Sequence, residues 1–269
     1  MAEGKANVNI LGREGLVGHH SAPTWDFLYQ VSSVKDSKWD VGDRVILPDG
    51  REFRYGRSTG AAALFAAHGC EFTYTGLVSY TAFATGHAVG VNEITIPAAT
   101  HAALTKDELR GGYVIIFDGA TDLGTCTRRI IGNDVSAADV AFDVRLDASI
   151  TNAIVSGTEA VEVYRNPYYA LTVASDAAKP KAGLPASYVS AAAQYFWVQT
   201  KGICWISPQT SNVGENGGLG CYWRHDGSLE GAEVTLGGLT VPDYDTSQYA
   251  GYVIAGSQSG NGPLFMLDI

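Results

Sequence analysis

Apolar and polar positions alternate on both sides of a turn early in the chain. Val45-Ile46-Leu47, Pro48-Asp49-Gly50 and Arg51-Glu52-Phe53-Arg54-Tyr55 spell a β-hairpin. Proline presets φ at the first turn position, and glycine accepts the positive φ that follows. Phe53 and Tyr55 share one face, with Arg51 on that side nearer the turn; Glu52 and Arg54 take the other. Strict alternation recurs in Phe142-Asp143-Val144-Arg145-Leu146, which predicts one buried face and one wet face. Tyr195-Phe196-Trp197-Val198-Gln199-Thr200, Lys201-Gly202 and Ile203-Cys204-Trp205-Ile206 read as a second hairpin with both faces substantially covered. Further strands are expected over 72–78, 91–96, 112–117, 126–131, 141–146, 161–164, 170–173, 232–236, 251–255 and 264–267.

Helical signals are few. Trp25, Phe27 and Tyr29 alternate with Asp26, Leu28 and Gln30. That pattern predicts an extended segment with one aromatic face, either an edge strand on the chain's own core or an arm docked on a neighbouring subunit. Residues 58–69, with Ser58 as N-cap and Gly69 just past the end, read as a short helix. Thr105-Lys106-Asp107-Glu108 matches a capping box, but Gly111-Gly112 limits it to about a turn. Residues 177–185 and 210–220 read as linkers or long loops. Short strands at this density predict a mainly β fold: an antiparallel β-barrel or sandwich with one or two short helices and an extended N-terminal arm. The expected organisation is an arm over 1–40, a hairpin and short-helix segment over 41–95, and a main β domain over 96–269.

Composition narrows the function classes. The 269 residues are 46% hydrophobic, enough for a substantial core. Charged residues are only 17%, and 28 acidic against 18 basic residues give a net charge of −10. An acidic chain with no basic stripe is a poor partner for nucleic acid or anionic lipid. No apolar run approaches the length that spans a bilayer, and the first residues carry no signal-peptide pattern. Cys70, Cys126, Cys204 and Cys221 show no C-x-x-C spacing and are expected to be reduced thiols.

No motif points to catalysis. Gly214-Glu215-Asn216-Gly217-Gly218-Leu219-Gly220 lacks the Lys-Ser/Thr of a phosphate loop, and Gly256-Ser257-Gln258-Ser259-Gly260 has the wrong spacing for a nucleophile elbow. Cys204, Cys221 and His225 offer one close ligand pair where a structural zinc site needs two. His19-His20 is a lone pair in a Gly-rich stretch. Asp118, Asp122, Asp134, Asp139, Asp143 and Asp147 fit solvated turns and strand faces better than a glycosidase pair or a calcium loop. Trp197, Trp205, Trp223, Tyr195 and Tyr222 fit either a sugar-stacking platform or, better, core and subunit interface. No cofactor is expected.

Several stretches resemble the head decoration (capsid cement) proteins of tailed bacteriophages. They are Val41-Gly42-Asp43-Arg44-Val45-Ile46-Leu47-Pro48-Asp49-Gly50-Arg51-Glu52-Phe53-Arg54-Tyr55, the Gly-Gly before a strand in 105–116, Tyr164-Arg165-Asn166-Pro167-Tyr168, Gly183-Leu184-Pro185, and the aromatic-W-V-Q-T-x-G pattern of 195–202. The resemblance implies a non-enzymatic virion structural protein, made in the host cytoplasm and placed on the outer capsid surface. Its partners would be the major capsid protein and copies of itself, as a homotrimer. Under that reading Trp25, Phe27, Tyr29, Phe53, Tyr55, Trp205 and Trp223 are the interface candidates. The alternative is a phage tail, fibre or other carbohydrate-binding β-rich structural protein. A polysaccharide-degrading β-sandwich is the enzymatic alternative.

Overall fold

The computed structural model describes residues 23–60, 62–73, 76–119, 121, 123–176, 178–208, 213–214, 219–231, 248–256 and 263–269, and the backbone of 8–10 and 13–15. In chain order its elements are β1 (Val8–Ile10), β2 (Arg13–Gly15), α1 (Trp25–Leu28), β3 (Arg44–Ile46), β4 (Glu52–Arg57), β5 (Cys70–Phe72), β6 (Val78–Ala82), β7 (Glu93–Ile96), β8 (Tyr113–Asp118) and β9 (Leu123–Asn133). They continue as β10 (Phe142–Leu146), β11 (Ala160–Tyr164), β12 (Leu171–Val173), β13 (Lys181–Pro185), β14 (Tyr195–Trp205), β15 (Gly220–Trp223), β16 (Leu229–Gly231), β17 (Tyr249–Ala255) and β18 (Leu264–Asp268). The fold is mainly β, and its antiparallel sheets curl into half-barrels.

Two compact units share the chain. One is built from both ends, Met1–Thr73 and Tyr168–Ile269; the other is the insertion Tyr74–Pro167. The division expected at 95/96 falls inside the insertion instead. There β7, which ends at Ile96, pairs antiparallel with β10.

The insertion carries one six-stranded sheet, in the order β6-β11-β8-β9-β10-β7. In β10, Phe142, Val144 and Leu146 are buried while Asp143 and Arg145 are partly exposed, as the alternation predicts. The inward residues join Phe83, Ile94, Ile96, Leu109, Val114, Ile130, Val161 and Val163 in one apolar core. The capping-box segment forms turns: Glu108 Oε2 accepts from both the Thr105 N–H and its hydroxyl. Buried Asn133 ties these turns to β9. Its Oδ1 accepts from Leu109 N at 2.8 Å, and its Nδ2 donates to Thr105 O at 2.9 Å.

In the outer unit, ten described strands form one sheet. Its path is β12-β5-β13-β14-β18-β17-β15-β16, with β4 also on β14 and β3 on β4. The first predicted hairpin is present as β3 and β4, with Val45 opposite Phe53 and Gly50 at φ +84°.

The second predicted hairpin is absent. Residues 195–205 run as one strand, β14. Gly202, at φ +96°, lies so close to the hairpin tip that a Cβ there would meet Arg51 Cα at 2.8 Å. The register slips between Gln199 and Lys201. This glycine therefore marks a close backbone approach within a strand, just past the bulge at Thr200, where the sequence suggests a turn.

Four other expectations are corrected. Residues 25–28 are a helical turn, α1, and no edge strand: the Thr24 hydroxyl accepts from the Phe27 N–H at 3.3 Å and caps it. Of the N-terminal arm, 1–7, 11–12 and 16–22 lie outside the described residues; β1 and β2 pair with each other. The helix expected over 58–69 does not form among its described residues. Ser58 bridges to Leu171 and Leu64 to Val189, because the backbone finds strand partners over 100 residues away. The supposed linker 177–185 contains β13, whose five residues are all buried. The strand expected over 72–78 is instead the end of β5 and the start of β6, in different units. The strand expected over 232–236 lies outside the described residues, as does most of the 210–220 loop.

Candidate functional site

The capping of α1 decides which aromatics it hides. Leu28 is 1% exposed and packs with Trp39, Val45, Phe53, Tyr55 and Trp197; Phe27 lies edge-on to Trp197 at 6.3 Å between ring centroids. The helical turn leaves Trp25 at 52% and Tyr29 at 46% exposure. Arg51, from the hairpin tip, holds them together. Its guanidinium lies 5.0 Å from the Trp25 ring centre, its Nη1 donates to the Tyr29 hydroxyl at 3.2 Å, and its Nε donates to Asp49 Oδ2 at 2.8 Å. Burial opposes the charge on Arg51, but the bonds to Asp49 and Tyr29 outweigh it and raise its pKa above the ordinary value. The result is a fixed, exposed Trp–Arg–Tyr cluster, the residue types that dominate binding hot spots.

Three of the seven expected interface residues cannot face a partner. Phe53, Tyr55 and Trp223 are 1%, 3% and 3% exposed and belong to the unit's own core. The reason is register. Phe53 and Tyr55 point to the side that α1 and Trp39 close, while Trp223 alternates inward on β15 with Cys221. Trp197, weighed for a sugar platform, is buried at 1% in the same cluster as Phe53.

Trp205 is different. It is 48% exposed and lies on the outer face of three neighbouring strands, β14, β18 and β17. The inner positions, Phe265, Leu267 and Val253, fill the core. The outer positions are also apolar. Ile203 lies opposite Met266, and Met266 opposite Tyr252. In the next row Trp205 lies opposite Leu264, beside Ile254 in the β17 bulge. Ile203, Tyr252, Ile254 and Leu264 are 43–46% exposed. A sheet that is apolar on both faces is covered on both when at work.

Two charged pairs border this face on its β14 side. Lys201 Nζ lies 2.9 Å from Asp268, and the Arg44 guanidinium grips Glu52 through two bonds. Hydrogen bonds to these carboxylates raise the pKa of Lys201 and of Arg44. Arg51, Ile203, Tyr252, Ile254, Leu264 and Met266 are surface residues the sequence reading did not single out. The available signal was apolar residues at both parities of the strands over 251–255 and 264–267.

The acidic residues weighed for catalysis serve the fold. Asp134 pairs with Arg145 at 3.0 Å, Asp143 accepts from the Thr95 hydroxyl, Asp139 accepts from the His101 N–H, and Asp147 accepts from Arg129 N. Asp122 lies outside the described residues, as do His19 and His20. Among the described residues no group of three His, Cys, Asp or Glu could hold a metal ion, and no helix is long and apolar enough to cross a membrane. The four cysteines are free.

Compared with known proteins, the chain matches no family model, no curated protein and no solved structure.

Proposed function

We propose that this chain is a non-catalytic structural protein of a tailed-phage virion that binds the outside of the capsid and bridges its subunits. The observation that carries the reading is a single sheet with adhesive side chains on both sides. The Trp25–Arg51–Tyr29 cluster lies over the Phe53 side of the β3–β4 hairpin, and the Ile203–Trp205 face belongs to the opposite side. A bridging protein needs two such surfaces, and many repeated weak ties hold a lattice through effective concentration. The motif resemblance over 41–55 and 195–202 supports the capsid as the lattice. The net charge of −10 limits adhesion to DNA and anionic cell material.

A protein partner suits the exposed Trp205 better than a sugar. Its described neighbours across the sheet, Leu264 and Ile254, carry no hydrogen-bonding side chain to read hydroxyl groups. The test is co-sedimentation of the purified chain with expanded and unexpanded phage heads. Saturable binding to expanded heads, reduced by Trp25→Ala, supports the proposal. Absence of binding to any head, with label on tails or with glycan capture, defeats it.

A further inference from the structure

We infer that the outer face of β14, β18 and β17 is the seat of a second copy of this chain, packed sheet on sheet about a two-fold axis along β18. The inference rests on the adhesive reading above and names the first partner of that surface.

The first argument is shape. Two aromatics occupy opposite corners of the face: Tyr252 on β17 in one row, Trp205 on β14 in the next. Isoleucines occupy the other two corners, Ile203 on β14 and Ile254 on β17. Met266 and Leu264, on β18, run down the middle. A half-turn about β18 exchanges β14 with β17 and keeps each row level. Trp205 then meets the other copy's Ile254, Tyr252 meets its Ile203, and each bulky ring lands on a smaller branched side chain. An isologous contact demands this kind of self-matching, and facing sheets pack at ~10 Å with interdigitated side chains.

The second argument is area. With Tyr249 alongside, the exposed parts of these side chains come to roughly 600 Å², the lower bound of the ~600–1,000 Å² per partner of a standard stable interface.

The third is charge. Copies at −10 each repel, so they meet where the surface carries none of that excess. Two pairs on its β14 border, Lys201 with Asp268 and Arg44 with Glu52, are already neutralised within one copy. The two Asp268 carboxylates approach each other only at the rim, each capped by its own Lys201. A partner chosen by charge would need an unbalanced rim, and these pairs do not supply one.

The experiment is sedimentation equilibrium of the full chain, without capsids, across roughly 0.1–100 μM. A reversible dimer is expected. Trp205→Glu and, separately, Leu264→Lys should each weaken it about 100-fold or more, the scale of a lost central anchor. Both side chains are nearly half exposed, so at dilutions where the parent and variant chains are monomeric the melting temperature should hold. Tyr113→Glu, on the insertion, should change nothing. A chain that stays monomeric throughout overturns the inference. So does a dimer indifferent to both substitutions. A trimer does as well, since a face that meets itself closes a pair. A monomer that still binds expanded heads defeats the dimer and spares the capsid reading; a dimer that ignores heads does the reverse.

Discussion

Lys181 Nζ sits 3.0 Å from Glu71 Oε2, with the two side chains 2% and 0% exposed. The pair joins β13 to β5, and each partner is saturated. The Lys181 ammonium also donates to the carbonyls of Asp176 and Lys179, while Glu71 accepts from the backbone N–H groups of Ser175 and Asp176. Breaking a buried pair from one side costs about 3–5 kcal/mol, and here Lys179 Nζ, 3.5 Å from Glu71 Oε1, keeps part of the compensation when Lys181 is lost. Lys181→Met is therefore expected to destabilise the outer unit by the lower part of that range. Glu71→Leu with Lys181→Met should recover much of the loss. Urea titrations followed by tryptophan fluorescence measure both.

The same pair sets an acid limit. Burial pushes the Glu71 carboxyl up, but the Ser175 N–H, the Lys181 ammonium and the Asp176 N–H together outweigh it and hold its pKa below the ordinary value. A depressed carboxyl contributes stability that is fully present above its unfolded pKa, about 4.3, and lost as pH falls through the folded value. The urea midpoint should therefore drop as the medium is acidified below the ordinary carboxylate range. In Glu71→Gln the midpoint is lower at neutral pH, and its further fall on acidification is shallower. An unchanged acid slope in that variant refutes the assignment.

Two glycines of the hairpin region separate backbone strain from steric blockage. Gly50 has φ +84° and nothing within 4 Å of a built Cβ. Gly50→Ala thus meets only the positive-φ penalty, about 1 kcal/mol. At Gly202 a Cβ adds a 2.8 Å approach to Arg51 Cα, and backbone cannot step aside cheaply. Gly202→Ala should cost clearly more than Gly50→Ala and should disturb the Arg51–Trp25 contact. Thermal melts and the near-ultraviolet circular dichroism of the tryptophans check the order.

That glycine also illustrates how much was legible. The first hairpin and the alternation of β10 rest on local chemistry, so they could be read from their own residues. Lys201-Gly202 has the composition of a turn, and only its pairing with β18, beside the Arg51 backbone, keeps it within a strand. β13 reads as a loop because Lys181 and Pro185 are poor strand residues; its place in the sheet depends on Glu71, 110 positions earlier. Trp25, Phe27 and Tyr29 at alternate positions suggest a strand, and the Thr24 cap reverses that. Trp205 was singled out from the sequence, and it is exposed. Its neighbours Tyr252 and Leu264 were not, because strand order brings them beside it.

Thiol chemistry offers an independent probe of the core. Burial pushes the thiols of Cys70, Cys204 and Cys221 up to about 12. At these three positions almost no thiolate then exists at pH 8 in the folded chain, and the thiolate is the nucleophile. Labelling of Cys70, Cys204 and Cys221 by a thiol reagent should be slow in native buffer and fast in urea, with its rate following unfolding. Rapid native labelling of Cys70 would contradict the burial of β5.

The insertion leaves and re-enters the outer unit at neighbouring strands. Phe72 of β5 lies opposite Leu171 of β12, and Thr73 N donates to Ala170 O at 2.8 Å. The two ends are therefore as close as those of a hairpin, and a short loop can join them without stretching either strand. Each unit also fills its own core: Phe83, Ile94 and Val163 pack within the insertion, while Trp197 and Phe265 pack within the outer unit. A chain in which a Gly-Ser linker replaces 74–167 should fold. All five tryptophans, Trp25, Trp39, Trp197, Trp205 and Trp223, belong to the retained part, so its emission spectrum should match that of the intact chain. A red-shifted spectrum and loss of a cooperative melt would mean that the insertion is needed for the outer sheet to close.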